Sequence, residues 1–347
     1  MRLRRKSLKE GVKDMKKTMK AAVLHAVGDL RYEDVPMPVP GPGEVLMKIR
    51  AAGICGSDIP RIYVKGTYHF PTVPGHEFAG EIVDGDPELV GKKAAVFPLL
   101  PCRRCEACEL GEYASCSNYD YYGSRRDGAF AEYLAVDRRN LVIMPDGVSF
   151  ACASLCEPGA VARAAVRRLG VTVGDFAVIW GAGPIGLIAA QWAREAGASK
   201  VRVVDISPEK LAFAEKFGFE AYDKERDGLC DCALEGTGAG AALSELVTCM
   251  RPHGRVVLMG NPARDMTVSQ SSYSQILRRE LSLRGTWNSS FNSRVNDWTA
   301  TVEAMATGRI KYEELITHRF PLSECNRALE MMRDRTEFFT KVTFVFD

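Results

Sequence analysis

Four cysteines within fifteen residues form the densest group of metal-binding side chains in this chain. Cys102, Cys105, Cys108 and Cys116 follow the spacing C-x2-C-x2-C-x7-C in a polar stretch that gives them little apolar surface to pack against. Four thiolates close a tetrahedral Zn²⁺ site and leave no open position. We therefore predict a structural zinc site. An iron–sulfur cluster and a disulfide cluster are the alternatives, although the Cys-Pro after an x3 gap, typical of bacterial ferredoxins, is absent.

A second set of ligand types is spread over the first half of the chain. Cys55 lies in a glycine-flanked turn, His76 and Glu77 follow Pro-Gly, and Glu157 precedes a proline. A zinc ion held by Cys55, His76 and Glu157 would keep one position open for water or substrate, as catalytic zinc does. Glu77 is a direct, water-mediated or exchanging ligand, and the sequence does not choose. Taken singly, each residue also fits a buried or helix-start role.

A glycine-rich segment at residues 181–186 has the pattern G-x-G-x-x-G after an apolar run and before a helical stretch. In that context the glycines allow a tight turn and a close backbone approach to a pyrophosphate. An acid nineteen residues later can bind the ribose diol, and it disfavours a 2′-phosphate, so we predict NAD. Another nucleotide or a cofactor-free α/β sheet is the alternative. The candidate cofactor residues are Gly181, Gly183, Pro184, Ile185, Gly186, Asp205 and Lys210, the last equally readable as an exposed helix lysine.

The elements that position these residues change character along the chain. Residues 20–150 contain short strand-like runs broken by proline and glycine, which indicates a barrel-like β domain. From about residue 157, apolar runs alternate with helical segments, which indicates βαβ units and a parallel sheet. The expected strands are 176–180, 201–205, 231–235 and 255–259. The fold class predicted is thus α/β plus β.

Composition bounds the function further. The 347 residues are 46% hydrophobic and 26% charged, which is typical of a soluble globular protein of two domains. The first 18 residues carry eight Lys or Arg against two acids, so the net charge of +2 becomes about −4 without them. We predict a disordered basic extension or a mis-assigned start there. The chain has no apolar stretch long enough for a membrane span, no signal-like segment and no nucleic-acid motif. The eleven cysteines are therefore expected to be reduced in a cytoplasmic protein.

The motifs in this order resemble the zinc-dependent medium-chain alcohol and polyol dehydrogenases from Met19 to Asp347. The resemblance rests on Gly75-His-Glu-Phe-Ala-Gly80, Cys55-Gly-Ser-Asp58, the four-cysteine lobe and the glycine-rich loop, and Glu157-Pro158 is similar to the polyol branch. It implies a GroES-like β-barrel catalytic domain (19–160), an inserted Rossmann doubly wound parallel sheet (161–296) and a segment returning to the catalytic domain (297–347). It also implies a homodimer, with a tetramer as the alternative.

The resemblance implies oxidation of a secondary hydroxyl to a ketone, through a zinc-bound alkoxide and hydride transfer to NAD⁺. Ser57 would pass the alcohol proton toward solvent, or else only stabilise its turn. The substrate would be a polyol or a polyol phosphate, and Arg61, Arg125 and Arg126 are candidates for clamping a phosphate. A surface turn with Asp127 neutralising one arginine is the alternative. Threonine or simple-alcohol dehydrogenases, and a zinc-free NADPH-binding relative without enzymatic activity, are less favoured.

Overall fold

The computed structural model describes residues 17–347, so residues 1–16 of the predicted basic extension lie outside the described part of the chain. A hairpin opens that part, and a short strand pair lies beside the four-cysteine segment. These strands are β1 (Thr18–Ala26) with β2 (Asp29–Pro36), and β6 (Leu99–Leu100) with β7 (Asp120–Tyr121).

The first large sheet joins both ends of the described chain. Its strands are β3 (Glu44–Ile54), β4 (Glu77–Asp84), β5 (Lys93–Val96), β8 (Tyr133–Asp137), β9 (Leu141–Ile143), β16 (Ile316–Pro321) and β17 (Lys341–Val345). Within residues 17–347 they run in the order β16-β17-β3-β4-β5-β9, with β8 also paired to β3. All neighbours are antiparallel except β16 and β17. Because β17 pairs with β3, the last strand of the chain lies in the same sheet as the residues that precede Cys55.

The second sheet is parallel throughout. Its strands are β10 (Phe176–Trp180), β11 (Lys200–Val204), β12 (Glu220–Ala221), β13 (Cys230–Glu235), β14 (Met250–Leu258) and β15 (Ser282–Gly285). Their order in the described chain is β12-β11-β10-β13-β14-β15, which is the dinucleotide-binding order 3-2-1-4-5-6. This confirms the predicted parallel sheet. Strand β14 begins five residues before the predicted start, because its first residues pair with β13 across a register shift.

Helices cover the parallel sheet and connect it to the antiparallel one. They are α1 (Asp58–Pro60), α2 (Glu106–Glu109), α3 (Phe150–Ser154), α4 (Cys156–Leu169), α5 (Pro184–Glu195), α6 (Pro208–Glu215), α7 (Lys224–Asp227), α8 (Gly240–Thr248), α9 (Gln270–Arg278), α10 (Asp297–Thr307) and α11 (Cys325–Asp334). Helix α4 packs against strands of both sheets. One continuous apolar core joins Ala79 and Phe97 of the first region to Ile179 and Val203 of the second. The first turn of α4 carries Glu157, so this shared helix fixes that carboxylate where the regions meet. Among the described residues, no helix combines the length and apolarity needed to cross a membrane.

Candidate active site

Strand pairing brings three of the predicted metal-binding residues together. In the antiparallel pair of β3 and β4, Gly53 lies opposite Glu77. Cys55 follows the end of β3 and His76 precedes β4, so both reach the same end of the pair. One ligand atom from each of Cys55, His76 and Glu77 lies within 4.8 Å of the others. A thiolate, an imidazole and a carboxylate at this spacing form a donor set that fits Zn²⁺.

Asp58 contacts two members of this group, Cys55 and His76, and no role was assigned to it from the sequence. Its buried carboxylate accepts a hydrogen bond from the Cys55 amide at 2.9 Å and lies 3.6 Å from His76 Nδ1. Burial disfavours a charge on His76, but the carboxylate of Asp58 and the thiolate of Cys55 raise its pKa well above the usual value. His76 Nδ1 is itself buried without a hydrogen-bond partner in residues 17–347. The carboxylate of Asp58 and the thiolate of Cys55 therefore favour a positive charge at this position, as a metal site requires.

Glu77 has a second partner that arrives from the far end of the chain. Lys341, the first residue of β17, forms a buried ion pair with Glu77 and donates to the Ile54 carbonyl at 2.9 Å. Burial opposes the charge of Lys341, yet the carboxylate of Glu77 and the thiolate of Cys55 raise its pKa. Glu77 thus contacts the ammonium group of Lys341 and also belongs to the candidate metal-binding group. No local sequence pattern predicts the contact with Lys341.

Glu157 lies beside this group without belonging to the three-residue set. Burial, opposed by His76 and reinforced by Glu77, raises the pKa of Glu157 to about 7. The Tyr121 hydroxyl donates to its Oε1 at 3.5 Å, and the Tyr121 ring lies 5.8 Å from the His76 ring. The structure therefore places Glu157 within the electrostatic reach of the centre, while its direct ligation of zinc stays a prediction. Tyr121 was missed because an isolated tyrosine carries no motif.

The four-cysteine segment folds around one point. The Sγ atoms of Cys102 and Cys108 are 3.9 Å apart, and those of Cys105 and Cys116 are 3.8 Å apart. Tetrahedral Zn–S bonds of about 2.3 Å require S···S separations of about 3.8 Å. Disulfides need about 2.05 Å, and all four cysteines are free, so the disulfide alternative is not supported. Backbone N–H groups of Ser117 and Cys108 lower the pKa of Cys105 to about 6, whereas burial raises the pKa of Cys108 to about 12.

The glycine-rich loop joins β10 to α5, at the point where the strand order reverses between β11 and β13. Gly183 caps α5 with extended backbone and Pro184 is its first residue, which leaves the helix N-terminus open toward the loop. A Cβ on Gly186 would lie 1.8 Å from the Gly181 carbonyl oxygen, so only glycine allows this approach. The loop therefore fits a dinucleotide pyrophosphate.

Asp205 follows β11 beside this loop. Its Oδ2 accepts from the Ala182 amide at 2.9 Å and lies 3.6 Å from Lys210 Nζ, while Oδ1 accepts from the Ser207 amide. Both residues predicted to contact the ribose are thus brought together. Ile185 lies in the first turn of α5, partly exposed.

The three candidate substrate arginines have different surroundings. Arg61 Nη1 donates to the buried carboxylate of Asp58 at 2.8 Å. Arg126 lies 3.6 Å from Glu44 and 3.7 Å from Asp120. Within residues 17–347, Arg125 has no carboxylate partner within 4.0 Å; its guanidinium lies between two tyrosine rings. The proposed neutralising acid, Asp127, instead accepts from the Val73 amide at 2.9 Å.

Comparison with known proteins defines the class. Residues 41–146 match the alcohol dehydrogenase GroES-like domain, and residues 184–307 match the zinc-binding dehydrogenase domain. The chain belongs to the zinc-binding, GroES-like alcohol dehydrogenase family. This confirms the resemblance and the predicted fold class, and the cofactors of that family are zinc and a nicotinamide dinucleotide.

Individual relatives narrow the comparison. The chain is 34% identical to galactitol 1-phosphate 5-dehydrogenase of Escherichia coli K12 over 320 residues, covering 87% of this chain and 92% of the relative. A crystal structure of galactitol-1-phosphate dehydrogenase from Escherichia coli superposes with a TM-score of 0.88 at 31% identity, covering 94% of this chain and all of that one. A dehydrogenase from Escherichia coli CFT073 complexed with NADH superposes with a TM-score of 0.87 at 29% identity, covering 95% of this chain and all of that one. One from Sinorhizobium meliloti bound to NADP gives 0.87 at 28%, with the same coverage.

Proposed function

We propose that this protein oxidises a secondary hydroxyl of a polyol or polyol phosphate to the ketone, with NAD⁺ as the hydride acceptor and zinc as the catalytic metal. The observation that carries the proposal is the group of Cys55, His76 and Glu77 at one end of the β3–β4 pair. The likeness to galactitol 1-phosphate 5-dehydrogenase supports the substrate class.

Two groups of residues would serve the catalytic zinc: its ligands and the residues that position those ligands. Zinc at Cys55, His76 and Glu77 or Glu157 would act as a Lewis acid that makes a substrate hydroxyl more acidic. Asp58 holds the Cys55 turn and faces His76, and Lys341 holds Glu77, so the donors are positioned before a substrate arrives. The rigid arrangement limits reorganisation during proton and hydride transfer.

Ser57 is proposed to accept the alcohol proton and pass it toward solvent. It is exposed, two residues from Cys55, and its side chain makes no capping hydrogen bond to α1. The free hydroxyl supports proton transfer over the turn-stabilising alternative. We expect Ser57→Ala to lower kcat by about 100-fold, the scale of general acid–base catalysis. Metal analysis must find both zinc ions retained; loss of zinc would show that Ser57 supports the site instead.

NAD is proposed over NADP because Asp205 places a carboxylate where the adenosine ribose is expected. Its contacts to Ala182 and Ser207 fix its orientation beside the loop. A carboxylate there accepts from ribose hydroxyls and repels a 2′-phosphate. A homodimer and the cytoplasmic location expected from the sequence stay predictions.

The deciding experiment is a panel of polyols, their phosphates, L-threonine and simple secondary alcohols, each followed at the NADH absorbance with NAD⁺ and with NADP⁺. We expect turnover with polyols or their phosphates and a preference for NAD⁺. Turnover of only L-threonine or simple alcohols would contradict the substrate class, and turnover with NADP⁺ alone would contradict the role of Asp205.

A further inference from the structure

Within residues 17–347, the guanidinium of Arg125 has no carboxylate within 4.0 Å. Arg125 lies between the rings of Tyr68 and Tyr119, 4.1 and 4.4 Å from their centroids. Its Nε is enclosed and has no hydrogen-bond partner in the described chain. Cation–π contact with two rings stabilises the position of the group but gives its Nε–H no acceptor.

The turn that carries Arg125 packs against Gly75, the residue that precedes His76. Its backbone runs so close that a Cβ on Gly128 would lie 2.1 Å from the Gly75 carbonyl oxygen, which accepts from the amide of the residue after Gly128 at 2.9 Å. The Arg125 amide also donates to the Tyr121 carbonyl at 3.0 Å. The backbone of this turn therefore contacts both Gly75, the residue before His76, and Tyr121, whose ring lies 5.8 Å from the His76 ring.

Both tyrosine rings pack against the guanidinium, with centroids 4.1 and 4.4 Å from its Cζ atom. Within residues 17–347 no carboxylate lies within 4.0 Å of the group, so its charge is left for an anionic ligand. Parallel in-plane donors match the oxygens of a phosphate or carboxylate. Tyr68 is 68% exposed, so this side of the guanidinium lies at the protein surface, where a ligand can reach it. Tyr119 in turn lies 6.4 Å from Tyr121, which places the guanidinium one aromatic ring beyond the side chain that contacts His76.

We propose that Arg125, fixed between Tyr68 and Tyr119, binds the phosphate of a phosphorylated polyol whose secondary hydroxyl is oxidised at the Cys55–His76 centre. The inference rests on the proposed dehydrogenase function and adds the charge of the substrate. Arg61 and Arg126 fit the role less well, because each already has carboxylate partners: Arg61 donates to Asp58 at 2.8 Å, and Arg126 lies 3.6 and 3.7 Å from Glu44 and Asp120.

The test compares zinc-loaded wild type, Arg125→Met, Arg125→Lys and Arg126→Met on galactitol 1-phosphate against galactitol, and on sorbitol 6-phosphate against sorbitol. Arg125→Met is expected to lower the ratio of kcat/KM for the phosphorylated member to that for the free polyol by about 10- to 100-fold, the scale of a lost charge-assisted hydrogen bond. Arg125→Lys should recover part of the loss, because an ammonium keeps the charge without the planar donor pair. Arg126→Met should change both members of each pair by the same factor.

A matched control is Arg327→Met. Arg327 also lies over an aromatic ring, that of Phe320, but it pairs with Glu324 at 2.6 Å. It should retain wild-type values for both members of each pair.

A second measurement separates this inference from the proposed function. Calorimetry of galactitol 1-phosphate and of inorganic phosphate on the zinc-loaded protein needs no turnover. Weaker binding to Arg125→Met than to wild type supports the anion site even if the panel finds no oxidation. An unchanged phosphate-to-free ratio and unchanged binding in Arg125→Met would overturn the inference and leave a free-polyol dehydrogenase standing.

Discussion

The buried pair of Glu77 and Lys341 gives the sharpest test of how the site is held together. Their side chains are 2% and 4% exposed, so neither charge can be satisfied by water once its partner is removed. Replacing Lys341 with methionine keeps an unbranched side chain of four heavy atoms and removes the ammonium group. It leaves the Glu77 carboxylate buried and the Ile54 carbonyl without its side-chain donor.

The expected cost follows from that burial. Removing one partner of a buried ion pair lowers the free energy of unfolding by about 3–5 kcal/mol, whereas a surface pair would cost about 1 kcal/mol or less. For a chain of this length, unfolding entropy of about 2.1 cal/mol/K per residue converts that loss into a fall in melting temperature of roughly 4–7 °C. Bound zinc would neutralise part of the Glu77 charge, so the loss should be larger after chelation.

The assay is thermal and urea unfolding of the chelator-treated and zinc-loaded forms. Lys341→Arg keeps the charge and should be far less destabilised, while Glu77→Gln combined with Lys341→Met should recover stability relative to Lys341→Met alone. Equal losses for the methionine and arginine variants, or a double variant whose loss is the sum of the two single losses, would refute the ion-pair reasoning and reduce Lys341 to a packing role.

Three further outcomes are expected. Cys108→Ser should reduce bound zinc from two ions per chain to one and lower the melting temperature, while Cys249→Ser, a buried cysteine outside the cluster, should keep both ions; unchanged zinc in Cys108→Ser would contradict the four-thiolate site. Gly186→Ala should abolish NAD⁺ binding by calorimetry, because its Cβ would meet the Gly181 carbonyl oxygen at 1.8 Å, and wild-type affinity would contradict this. Burial opposes the charge of Asp227, but Arg226 and Lys200 lower its pKa, so its stabilisation is present above the unfolded pKa near 3.8 and is lost as pH falls through the folded value. Because those partners are partly exposed, Asp227→Asn should lower the free energy of unfolding by about 1 kcal/mol at pH 7 and flatten the acid limb of stability, and an unchanged acid limb would count against the assignment.

The sequence predicted features that depend on local spacing better than features that depend on register. The four cysteines lie within fifteen residues, so their spacing alone limits the geometry they can adopt. The glycine-rich loop is equally local, since a strand, a turn and a helix follow one another. By contrast, Glu77 and Lys341 are 264 residues apart. Their contact depends on β17 pairing with β3, and no periodicity of the sequence specifies which strands become neighbours.

The adjacent arginines Arg125 and Arg126 also show that the sequence does not specify which residues become neighbours in space. Arg125 and Arg126 are indistinguishable by type and spacing, and both were candidates for a phosphate clamp. Because they occupy successive positions of one tight turn, their side chains leave in different directions: Arg126 meets Glu44 and Asp120, while Arg125 enters the space between two tyrosines. Whether an arginine keeps its donors available for a ligand therefore depends on the residues around it. For Arg125 those residues are Tyr68 and Tyr119. If specificity for a phosphorylated substrate resides in these three side chains, replacing either tyrosine should weaken that specificity even though neither ring carries a charge.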